Sequence, residues 1–73
     1  MSDAYLIGLC QEYVELVDQM RNGQYTHEEL YTLDSQRQTT HVELCRYTGL
    51  DATEDMYIYA KAVLHAARGS NYQ

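Results

Sequence analysis

Arg37, His41 and His65 are the residues whose types and spacing point most directly to chemistry. Arg37 and His41 stand four apart, on one face of a helix. That face also carries Leu30, Leu33, Leu44 and Tyr47, so the two polar residues, with Thr40, interrupt an otherwise apolar stripe. If a third helix folds back along this one about residue 51, His65 comes level with Arg37 and Lys61 with His41. If the preceding helix folds back about residue 24, Gln11 comes level with Arg37, and Glu12 or Glu15 falls within reach of the guanidinium. Arg37, His41, His65, a carboxylate and Tyr13 then form a mid-bundle cluster. Such a cluster is suited to binding a small anion or a nucleotide, or to acid–base work with histidine poised near neutral pH. The competing expectation is a buried, satisfied ion pair that fixes helix register.

Other chemistries lack their parts. Cys10 and Cys45 lie about seven residues out of register across the hairpin, on the order of 10 Å at ~1.5 Å per residue, whereas a disulfide needs Cα atoms within about 7 Å. Two buried free thiols are expected. Zinc would need these cysteines plus two of His27, His41 and His65, and the five contain no Cys-x-x-Cys or His-x-x-x-His pair, so no metal is expected. There is no Gly-rich phosphate loop and no nucleophile elbow, so no catalytic role and no cofactor is expected. Ser35-Gln36 resembles the Ser-Gln pair of a family of small helical aspartyl-phosphate phosphatases, in which an acidic residue follows three positions on. Thr39 stands at that position here, so the resemblance does not imply the activity.

The elements that position these residues are punctuated clearly. Thr26 and Glu29 form a capping box, flanked by Tyr25 and Leu30 at hydrophobic-staple positions. Arg46 in the last turn and Gly49 just beyond it close the same helix, with Leu50 free to fold back on Leu44 or Cys45. This predicts one helix over 27–48. A second row on it, Tyr31, Gln38, Val42 and Cys45, is offset by roughly 100° and predicts a second packing partner. Upstream, Ser2 and Asp3 open a helix over 3–21 whose stripe is Leu6, Leu9, Tyr13, Leu16 and Met20, widened by Cys10 and Val17, with Gln11, Glu12, Glu15, Asp18 and Gln19 opposite. Asn22 and Gly23 turn the chain. Downstream, Asp51 or Thr53 caps a helix over 53–68, stopped by Gly69, and residues 70–73 fray. The class is all-α: a single three-helix domain over residues 1–73, an antiparallel hairpin plus a third helix.

From Met56 to Ala67 ten of twelve residues are apolar or tyrosine, more than one buried face requires. Met56, Tyr59, Ala60, Val63 and Ala67 suffice for the bundle. Ile58 and Ala62, with Tyr57 and Leu64 at the flank, are left for self-association or another protein. Oligomerisation also suits a chain of 73 residues, whose core is marginal by size.

Charge narrows the partner. The formal net charge is -6, and all of it lies in residues 1–36, where seven carboxylates face only Arg21; beyond residue 36 four carboxylates balance four basic residues. A nucleic-acid backbone is disfavoured, and a helix-turn-helix reading would lead into DNA with Asp51, Glu54 and Asp55. No apolar run reaches the roughly 20 residues of a membrane span and no signal core opens the chain, so a cytoplasmic protein is expected. The sequence therefore predicts a small acidic protein-interaction or inhibitor module, offering Glu12, Glu15 and Asp18 to a basic macromolecular surface. By size and charge it has the character of phage or mobile-element accessory proteins.

Overall fold

The computed structural model describes residues 3–70. It contains α1 (Asp3–Asn22), α2 (His27–Thr48) and α3 (Thr53–Ser70). Ser2 and residues 71–73, read above as a cap and a frayed end, lie outside the described residues. Gly69 sits inside the last turn of α3 rather than ending it.

The ends of α2 are built as its sequence dictates. Thr26 is extended (φ -70°, ψ 166°), its hydroxyl accepts from the Glu29 amide at 3.1 Å, and the Glu29 carboxylate accepts from the Thr26 amide at 2.9 Å. At the other end Gly49 adopts φ 75° and its amide donates to the Cys45 carbonyl at 2.8 Å, closing the helix in the left-handed conformation that glycine takes at no steric cost. The start of α3 differs from expectation. Ala52 supplies the first helical carbonyl, accepting from Met56 N at 2.9 Å, and Thr53 is already helical. Neither Asp51 nor Thr53 occupies the cap position, which falls on Ala52; Asp51 lies 4.0 Å from His41 with its side chain in solvent, and the Thr53 hydroxyl accepts from Arg37 at 3.3 Å.

Helix α1 is the central element. It contributes Cys10, Tyr13, Val14 and Val17 to the core, α3 contributes Met56 and Ala60, and α2 only Leu44. The hairpin pairs α1 with α2 in antiparallel register, with Tyr5 against Tyr47 and Tyr13 against His41. The first turns of α3 join the last turns of α1 through Arg21–Glu54 at 3.3 Å and Tyr57–Asp18 at 2.7 Å. Thus α3 starts beside the end of α1 and packs along it, meeting α2 sparingly. It does not fold back along α2 about residue 51.

That placement overturns the expected second partner for α2. Tyr31 is 76% exposed, Val42 53% exposed, and Gln38 is exposed as well. Only Cys45 of that row is half-buried, because the helix expected to cover the row packs on α1 instead.

Candidate functional site

The polar interruption in α2 becomes a node joining all three helices. Tyr13 is fully buried at its centre. Arg37 Nη1 donates to the Tyr13 oxygen at 3.5 Å and to Thr53 Oγ1 at 3.3 Å, and Arg37 Nε donates to Asp34 Oδ1 at 2.9 Å. His41 Nδ1 lies 2.9 Å from the Tyr13 oxygen. A guanidinium only donates, so the phenol accepts from Arg37 and directs its own proton to Nδ1. The other ring nitrogen, Nε2, faces the exposed Asp51 carboxylate at 4.0 Å.

Electrostatics agree with this geometry. Burial alone would lower the Arg37 pKa, but the hydrogen bonds to Asp34 and Tyr13 more than offset it and raise the pKa, so the residue stays charged. The neighbouring Thr40 is 3% exposed and returns its hydroxyl to the Gln36 carbonyl at 3.1 Å. No buried side-chain nitrogen or oxygen among the described residues lacks a partner. The arrangement ties Tyr13 of α1, Arg37 and His41 of α2 and Thr53 of α3 at one level, which fixes register.

The expected convergence of His65 on Arg37 does not occur. His65 lines a separate cleft of about 400 Å³ between α1 and α3, with Gln11, Glu15, Asp18, Lys61 and Arg68. Nor do Gln11, Glu12 or Glu15 reach Arg37: Gln11 donates to Glu15 at 3.2 Å on the α3 side of α1, and Asp34 serves Arg37 instead. Both differences follow from α3 packing along α1. Spacing does mark the missed Asp34, three residues before Arg37 on the same helix. Thr53 and Asp51 were hidden by their reading as caps.

The expected partner-binding residues divide. Glu12 and Glu15 are exposed, as are Ile58 (58%) and Ala62. Asp18 and Tyr57 are half-buried and bonded to each other, with the Arg21 guanidinium 4.8 Å and the Lys61 ammonium 5.6 Å from the Tyr57 ring centre. The cysteines are both free; burial pushes the Cys10 thiol pKa up, which keeps it protonated. No group of three or more His, Cys, Asp or Glu among the described residues is placed to hold a metal ion. None of the described helices is long and apolar enough to cross a membrane.

Comparisons with protein-family models, curated proteins and solved structures found no match to the chain.

Proposed function

We propose that this chain is a non-catalytic, acidic protein-interaction module of the inhibitor or regulator type, binding a basic protein surface in the cytoplasm. The observation that supports it is the distribution of charge over the fold. Arg37 is enclosed by Asp34, Tyr13 and Thr53, and Arg21, Lys61 and Arg68 gather about α3. Glu12 and Glu15 on α1, and Glu28 and Glu29 on α2, remain exposed to solvent. Exposed carboxylates of one sign steer a basic partner toward the hairpin and make its association salt-dependent.

The opposite face supports self-association. Ile58 and Ala62 are exposed on α3, in the charge-balanced half of the sequence, where two copies meet without like-charge repulsion. The alternative of a small-anion or nucleotide site around Arg37, His41 and His65 has less support, because His65 lines a different cleft.

The test is capture of a partner on the immobilised chain followed by titration of the purified pair. The partner should be basic. Its affinity should fall by about tenfold or more between low and physiological salt, and Glu12→Gln with Glu15→Gln should weaken it. Equal affinity at all salt concentrations would overturn carboxylate-led recognition.

A further inference from the structure

We infer that the cleft between α1 and α3 binds a small zwitterion, a molecule with a carboxylate at one end, an ammonium at the other and an aliphatic middle. This site is separate from the acidic face offered to a protein partner and does not depend on it.

Helix register sorts the charges of the cleft. The Asp18–Tyr57 and Arg21–Glu54 pairs hold α3 antiparallel to α1, which brings Ala60 level with Glu15 and Arg68 level with Ile7. Asp18, Glu15 and Lys61 therefore stand at one end of the cleft, with negative charge in excess. His65 and Arg68 stand toward the other end, where no carboxylate lines it, and Gln11 lies between. Eight residues of α3 separate the level of Glu15 from Arg68, roughly 12 Å. On α3 itself Lys61, His65 and Arg68 fall within roughly 60° of one another at ~100° per residue, so one wall of the cleft carries all three.

These charges do not cancel one another across the cleft. Among the described residues, neither His65 nor Arg68 is in an ion pair or a side-chain hydrogen bond. The Lys61 ammonium lies 5.6 Å from the Tyr57 ring centre, close to the ~6 Å limit of a cation–π attraction. Glu15 accepts from Gln11 through Oε2 alone, and that donor is a neutral amide, so its charge and its Oε1 stay available. Asp18 is held by the Tyr57 hydroxyl and closes the acidic end.

Between the two ends the floor is apolar, formed by Val14, 8% exposed, and the half-buried Leu64. The volume, about 400 Å³, falls within the ~300–1,000 Å³ of small-molecule pockets. A carboxylate matches the Arg68 guanidinium through two parallel hydrogen bonds, with the His65 ring N–H as a further donor. An ammonium meets Glu15, and methylenes between the two groups cover Val14 and Leu64. A plain anion leaves Glu15 and Asp18 facing it unanswered, and a plain cation does the same to Arg68.

The test titrates the full chain, labelled with 15N, with a series of ω-amino acids of increasing methylene length. An alkanoate and an alkylamine of matched length are the controls. One chain length is expected to bind at least about tenfold tighter than either control, with amide shifts centred on Gln11, Val14, Leu64 and His65. Arg68→Gln should weaken that ligand by about tenfold, to the affinity of the alkylamine, and Glu15→Gln to that of the alkanoate. Both positions are exposed, so the circular dichroism of the chain should not change. Glu12→Gln, on the opposite flank of α1 at ~100° per residue, should leave binding as it was. An alkanoate or an alkylamine that binds as tightly as the best zwitterion overturns the two-ended site. So does the absence of saturable shifts at about 10 mM ligand, or shifts centred on other residues. No protein partner enters the titration, so its failure leaves the acidic interaction module standing.

Discussion

At the scale of single residues the polar node is asymmetric, and the asymmetry can be measured. Removing Arg37 strands little: Tyr13 keeps His41, and Asp34 keeps Gln38, whose Nε2 donates to it at 2.9 Å. Removing the Tyr13 hydroxyl leaves Nδ1 of the nearly enclosed His41 with no protein partner. Tyr13→Phe should therefore cost about 1–2 kcal/mol, and Arg37→Met less than about 1 kcal/mol, read by urea denaturation of both variants. The meeting of Arg37 with Tyr13 was legible in the sequence because both interrupt or define stripes on adjacent helices. The Tyr57–Asp18 bond was not, since 39 positions separate the residues and no local spacing joins them. That bond sets a pH dependence. The hydrogen bond to Asp18, then desolvation, raises the Tyr57 pKa above the ordinary tyrosine value. The stability it gives is fully present below that ordinary value and is lost as pH rises through the raised one. Melting temperature should accordingly fall less steeply above about pH 10 in Tyr57→Phe than in the unaltered chain.

At the scale of elements, α2 shows what local sequence can and cannot determine. Its limits were readable because a capping box and a left-handed glycine act within four residues of the backbone they satisfy. Gly49→Ala should lower stability by about 1–2 kcal/mol, since a Cβ penalises φ 75° even where nothing crowds it. For a domain of this size that is a fall of roughly 4–8 °C in Tm per kcal/mol. The partner of α2 was not readable in the same way. Four residues, 49–52, join α2 to α3, and so short a link suggested a simple antiparallel return. What decides otherwise is long-range: α1 offers Cys10, Val14 and Val17 to α3, whereas the α2 stripe is broken by Arg37, Thr40 and His41 and offers only Leu44 fully buried. The better-packed apolar face wins the third helix. The consequence is a hairpin with one seam uncovered, a feature no periodicity within a single helix announces.

At the scale of the whole molecule, the two uncovered surfaces differ in the company their charges allow. The hairpin is acidic, and the outer face of α3 belongs to the balanced half of the chain. A homotypic contact therefore belongs on α3, where charge does not oppose it. A stable dimer interface buries about 800 Å² per partner, close to 15% of the 5205 Å² of accessible surface. Ile58 and Ala62 alone cannot provide that, so the interface has to extend along α3 to the half-buried Tyr59 and the exposed His65. Ile58 sits at its centre, and a charge placed there would be buried without a partner. The chain should scatter light as a dimer at tens of micromolar, and Ile58→Glu should return it to a monomer with unchanged helical circular dichroism. A monomer in the unaltered chain over that range would rule out the homotypic interface.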